Sequence, residues 1–114
     1  MKSIIDRVQQ GDIEAVRKEA QAFNIRLQDV KYETFKQTPI YWAALIPDVE
    51  KSREMTNFLI SEGVDPKYKD TLKQSALFYA ARENKLGMAQ VLAQHGCSLN
   101  DKDQYGQTPI YYAC

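Results

Sequence analysis

Apolar residues recur along this chain at helical spacing. Met55, Phe58 and Leu59 stand at i, i+3 and i+4, and Met88, Val91 and Leu92 repeat the same spacing. Each triple places one apolar stripe along one side of a helix. Ile4, Ile5 and Val8 form a further apolar side near the N-terminus. Gly63 and Gly96 follow the two stripes and suit the C-terminal caps of those helices. Asn84 falls where a turn is needed between two helices, and asparagine tolerates a left-handed backbone.

The stripes belong to a larger period. QTPIYWAAL at 37–45 returns as QSALFYAAR at 74–82 and again as QTPIYYAC at 107–114. A second phrase, FLISEGVDP at 58–66, returns as VLAQHGCSL at 91–99. A third precedes the first each time: ETFKQT at 33–38, DTLKQS at 70–75 and DQYGQT at 103–108. Thr38 and Ser75 are 37 residues apart, and Ser75 and Thr108 are 33 apart. Three phrases in one fixed order at such a period mark a repeat array. The hydroxyls of Thr38, Ser75 and Thr108 are expected to cap helices, with Pro39 and Pro109 in the first helical position. Ala43-Ala44 and Ala80-Ala81 offer a slim face for a neighbouring helix. Each unit therefore reads turn, helix, turn, helix, then an extended finger.

The chain resembles the ankyrin repeat. The family's Thr-Pro-Leu-His phrase, with two alanines behind it, is matched by Thr38-Pro39-Ile40-Tyr41-Trp42-Ala43-Ala44, Ser75-Ala76-Leu77-Phe78-Tyr79-Ala80-Ala81 and Thr108-Pro109-Ile110-Tyr111-Tyr112-Ala113. Gly63-Val64-Asp65 and Gly96-Cys97-Ser98 match its late phrase. The resemblance implies an all-α solenoid of stacked helix-turn-helix units with short β-turn fingers. Its expected divisions are an atypical N-terminal capping repeat at 1–34, a repeat with a four-residue insertion at 35–71, a repeat at 72–104 and a truncated repeat at 105–114. Lys2, Asp6, Arg7, Gln9 and Gln10 suit the polar outer face of a cap. The insertion surrounds Ile46-Pro47-Asp48-Val49, and Pro47 is expected to end the first helix there.

The departures carry expectations of their own. Tyr41, Phe78 and Tyr111 replace the family's histidine, which is expected to remove its hydrogen bonds to the neighbouring finger. Lys36 and Lys73 replace an early glycine that only Gly106 keeps. The third copy of the phrase stops at aromatic residues inside its first helix, which predicts an N-terminal piece of a longer protein with further repeats or domains beyond residue 114. The alternative is a native end covered by a partner or a second copy.

Charge and composition narrow the classes. Lys plus Arg and Asp plus Glu are 15 each, so the formal charge is zero and no basic block argues for nucleic acid or an anionic membrane. The apolar runs are too short to cross a bilayer, and the N-terminus lacks a signal peptide's apolar core. Two cysteines, Cys97 and Cys114, are too few for a disulfide scaffold and fit a reducing cytosolic or nuclear setting.

No catalytic constellation emerges, and neither a cofactor nor a metal is expected. His95 is the only histidine and belongs to the last turn of a helix. Cys97 sits where the family has a small buried residue. One histidine and two cysteines fall short of a zinc site, and there is no phosphate loop or dinucleotide motif. Asp48 with Glu50, and Asp101 with Asp103, read as solvated acids on loops.

The resemblance implies a protein-binding module whose partner, a protein or peptide, meets the concave side. The fingers run from Lys31 to Gln37, Lys67 to Gln74 and Lys102 to Gln107. Gln37, Gln74 and Gln107 share one repeat position, and Phe35, Leu72 and Tyr105 share another, as an apolar column that either faces a partner or packs finger on finger. Trp42, Tyr79 and Tyr112 form an aromatic ladder. With Glu83 it either cages a methylated lysine or fills the seams between repeats. The two functional readings are a non-catalytic interaction scaffold and a targeting module of a larger, chromatin-modifying enzyme.

Overall fold

The computed structural model describes residues 2–32 and 35–113, so expectations that fall on Glu33, Thr34 or Cys114 lie outside the described residues. Among the described residues seven α-helices follow in order: α1 Lys2–Gln10, α2 Ile13–Ala22, α3 Ile40–Ala43, α4 Val49–Ser61, α5 Ala76–Arg82, α6 Leu86–Gln94 and α7 Pro109–Ala113. A single turn of 3-10 helix spans Leu27–Asp29. The only β pairing among the described residues is an isolated bridge between Tyr32 and Gln37. The fold is an all-α solenoid of stacked helix pairs. Helices α1, α3, α5 and α7 pack in sequence along one row, and α2, α4 and α6 pack behind them. The array measures 41 × 27 × 21 Å.

The apolar stripes face inward. Met55, Phe58, Leu59, Met88, Val91 and Leu92 are buried, as are Ile4 and Val8 of α1, while Ile5 is half-buried. Ala43, Ala44 and Ala80 are fully covered, so the slim face admits its neighbours. On α1, Asp6 and Gln10 are exposed, and Arg7 and Gln9 are half-buried.

Helix ends follow local chemistry. Gly63 (φ 95°) and Gly96 (φ 101°) close α4 and α6. In each case the glycine N–H and the next N–H return to carbonyls of the last turn: Gly63 to Ile60 and Val64 to Leu59, then Gly96 to Ala93 and Cys97 to Leu92. Asn84 (φ 57°) does the same for α5, with Lys85 N–H reaching Ala80 at 2.8 Å.

Three expectations are corrected. Ser75 caps α5, accepting from Leu77 N–H at 3.3 Å, but Thr38 does not cap α3. Pro39 holds the cap position with helical φ −58° and ψ −25°, which leaves the Thr38 hydroxyl one residue outside, buried and without a partner. Asp48 is not a free loop acid: its carboxylate accepts from Glu50 N–H at 2.9 Å and Lys51 N–H at 3.1 Å, capping α4, and Glu50 lies in the first turn of that helix. Asp103 is buried, not solvated.

Helix α3 has only four residues, and the chain beyond it explains why. Leu45 and Ile46 N–H continue with tighter i→i−3 bonds to Trp42 and Ala43, and then Pro47 stops the run. Ser52, fully buried on α4, donates its hydroxyl to the Ala43 carbonyl at 2.8 Å and so satisfies the short helix's end.

Candidate interaction surface

The fingers are built by one device used repeatedly. In the second, Lys73 N–H returns to the Asp70 carbonyl at 2.9 Å and Asp70 N–H to the Gln74 carbonyl at 3.0 Å. The Asp70 side chain accepts from Leu72 N–H at 2.9 Å and Gln74 N–H at 3.0 Å. The third finger copies this with Asp103, which accepts from Tyr105 N–H at 2.9 Å and Gln107 N–H at 3.0 Å. A three-residue hairpin of this kind needs a left-handed residue at its last loop position. Gly106 meets that need at φ 76°, but Lys36 at φ 58° and Lys73 at φ 62° meet it with side chains attached.

Adjacent fingers are fastened twice. Thr71 N–H donates to the Phe35 carbonyl and Gln104 N–H to the Leu72 carbonyl, each at 3.0 Å. Beneath these bonds the Gln37 amide donates to Asp70 at 2.9 Å and to the Tyr79 hydroxyl at 2.6 Å. One repeat on, the Gln74 amide donates to Asp103 at 2.9 Å and to the Tyr112 hydroxyl at 3.4 Å. Tyr112 also donates to Asp103 and to the Gln107 side chain. Burial would raise the Asp103 carboxyl, but bonds from Tyr112, Gln74 and the Gln107 and Tyr105 amides outweigh it and hold it below the usual range. The same Asp103 contact pushes the Tyr112 phenol up to about 12.

Gln37 and Gln74, expected on the partner-facing side, are buried and their amides are engaged internally. Tyr41 corrects an expectation. Its hydroxyl donates to the Tyr68 carbonyl at 3.0 Å and to the Gln74 carbonyl, so the aromatic residue keeps a bond to the next finger where its loss was expected. Burial, with the charge of Asp70 adding, raises this phenol.

The aromatic ladder is integrated into the seams. Trp42 meets the edge of Tyr32 with ring centres 4.5 Å apart, Tyr79 meets Tyr41 at 5.2 Å, and Tyr112 meets Phe78 at 6.0 Å. The Arg82 guanidinium lies 4.3 Å over the Tyr79 ring, where a caged ammonium would sit, and 3.7 Å from Glu83. Among the described finger residues, Phe35 (39% exposed), Tyr105 (64%), Thr71, Gln104 and the lysines at the tips are open, and Leu72 is half-buried. Gln107 is half-buried.

Sequence reasoning missed the acids as the organising groups of the fingers. The signal was present as Asp-x-x-x-Gln in DTLKQ and DQYGQ. Cys97 is buried with its thiol directed to the Pro66 carbonyl at 3.0 Å, and burial pushes it up to about 11. His95 follows the last residue of α6 and is exposed. A hollow of about 420 Å³ beside the 3-10 turn is lined by Asn24, Ile25, Arg26, Asp29, Val30 and Lys31, with no Ser, Thr, Cys or His among them. Among the described residues no three His, Cys, Asp or Glu side chains converge on a metal position, and no helix is long and apolar enough to cross a membrane.

The paired helices, the capping glycines and the zipped fingers define a repeat protein of the helix-turn-helix class. A family model described as ankyrin repeats (3 copies) matches residues 40–114. The chain belongs to the ankyrin-repeat family, whose members generally serve as protein–protein interaction modules.

Proposed function

We infer that this protein is a non-catalytic interaction module that receives a protein or peptide on its concave finger face. The carrying observation is the column of exposed Phe35, half-buried Leu72 and exposed Tyr105, set on a finger row that is hydrogen-bonded from below. The Gln37–Asp70 and Gln74–Asp103 bonds and the inter-finger backbone bonds fix the row from below. Apolar side chains on such a support lose little freedom on binding, and aromatic anchors carry a large share of binding energy. The methyl-lysine reading is weaker, because Arg82 already covers Tyr79 and each ladder ring has an aromatic neighbour.

Site-specific photo-crosslinking tests the assignment. A crosslinking amino acid is placed at Tyr105 or Phe35, and in parallel at Gln90, exposed on α6. Partner adducts should form from the finger positions. Adducts confined to Gln90 would move the site to the convex helices.

A further inference from the structure

The net charge of zero hides an uneven distribution. On the finger edge two of the described acids turn inward: Asp70 and Asp103 are buried and bound by N–H, amide and phenol donors. Asp101 is occupied by Lys69 at 3.9 Å, and Asp65 caps the turn at Lys67 N–H at 2.9 Å. The lysines turn outward: Lys36, Lys73 and Lys102 are exposed, with no ion pair to any of them among the described residues.

Backbone strain supplies an independent observation. Lys36 and Lys73 occupy the left-handed loop position that suits glycine, and the third finger has Gly106 there. A Cβ added at Gly106 would meet nothing within 4 Å, so the position offers a side chain no packing. A non-glycine residue in this backbone region is strained, and such strain clusters at ligand-contacting sites. Lys36 and Lys73 stand next to Phe35 and Leu72, so two successive tips present the same apolar–cationic pair.

We propose that the finger edge recognises an acidic, extended segment of a partner protein, with its carboxylates on Lys36 and Lys73 and its apolar side chains against Phe35, Leu72 and Tyr105. This rests on the concave-face reading above. Stacked helical repeats advance by about 10 Å. A polyproline-II strand rises about 3.1 Å per residue and returns every third side chain to one face, a step of about 9 Å. The matching partner therefore carries Glu or Asp at every third position, and its preformed extended backbone limits the entropy lost on docking.

The test uses two labelled peptides of about twelve residues, repeating Glu-Leu-Pro and Lys-Leu-Pro, long enough to span the fingers at about 3.1 Å per residue. Binding is followed by fluorescence anisotropy and mapped by amide chemical shifts. The acidic peptide should bind, shift Phe35, Leu72 and Tyr105, and weaken with salt, while the basic peptide does not bind. Replacing both lysines by glycine (Lys36→Gly, Lys73→Gly) should weaken the acidic peptide about five- to tenfold. The same variant should melt no lower than the wild type, which separates recognition from folding. Failure of the acidic peptide to bind, or unchanged affinity in the glycine variant, overturns the proposal. Binding of the basic peptide on the fingers overturns the acidic specificity and leaves the concave-face reading standing. Acidic-peptide shifts confined to α4 and α6 overturn both.

Discussion

The side-chain amide of Gln74 reaches the carboxylate of Asp103 at 2.9 Å, tying one finger to the next beneath the surface. Gln37 and Asp70 make the same bond at the same distance one repeat earlier. In both cases a phenol from the following repeat joins, Tyr79 or Tyr112. The contact turns two stacked units into one cooperative structure. It also places three polar groups where leaving any of them without a partner is unfavourable.

Gln74→Ala should destabilise the protein by about 1–3 kcal/mol, because the buried Asp103 carboxylate and the Tyr112 hydroxyl each lose a donor. A double-mutant cycle with Asp103→Ala should show coupling of about 0.5–3 kcal/mol. Urea unfolding of the four proteins measures both quantities. Additive losses would mean that the two residues do not act together. The residue thus belongs to the folding of the array, although its place on the finger suggests a surface role.

The Asp103 carboxyl gives the array a defined acid response. Its folded value lies below its ordinary value of 3.8, since the donor bonds outweigh burial. A depressed carboxylate contributes stability that is complete above the unfolded value and is lost as pH falls through the folded value. Melting temperature should therefore fall as pH drops below about 4. In Asp103→Asn that part of the acid loss should shrink, with the wild-type and variant profiles converging at low pH. Parallel profiles would exclude Asp103 as a contributor.

Lys73→Gly should stabilise the protein. A side chain at a left-handed position costs about 1–2 kcal/mol, and glycine's added freedom in the unfolded chain offsets about 0.4–1 of this. The expected net gain is about 0.5–1 kcal/mol. The reverse exchange, Gly106→Lys, should lose a similar amount, since open space around Gly106 leaves conformation as the main term. Thermal or urea unfolding reads both. A loss of stability in Lys73→Gly would show that the lysine makes a stabilising contact that outweighs its strain.

The architecture was legible because its determinants are local and periodic. Met88, Val91 and Leu92 announce a buried stripe by spacing, and Gly63 and Gly96 announce helix ends by the backbone they permit. The polar interior was less legible. Asp70 and Asp103 sit in turn-like, hydrophilic stretches, and nothing in those stretches says that each carboxylate points inward to a glutamine 33 or 29 residues earlier. Tyr41 shows the same limit: its bond to the next finger depends on the stacking distance between repeats. Thr38 and Ser75 occupy one repeat position and diverge, because Pro39 takes the cap place in one copy while Ala76 begins the helix in the other.

Core and surface changes should separate stability from binding. Leu92 is fully buried on α6, and Leu92→Ala removes a side chain whose loss costs about 2–5 kcal/mol. Phe35 and Tyr105 are exposed on the fingers, so Phe35→Ala with Tyr105→Ala should cost little, about 0.5 kcal/mol each. Hot-spot energetics reverse the order for binding: truncating exposed aromatic anchors should weaken a partner by more than about 1 kcal/mol. Leu92→Ala should leave affinity per folded molecule unchanged, because its side chain reaches no ligand and its effect passes through the folded fraction. The measurement pairs a melting curve with titration at a temperature where both variants remain folded. Loss of affinity in the folded Leu92→Ala protein, with full affinity in the finger double variant, would place the partner away from the concave face.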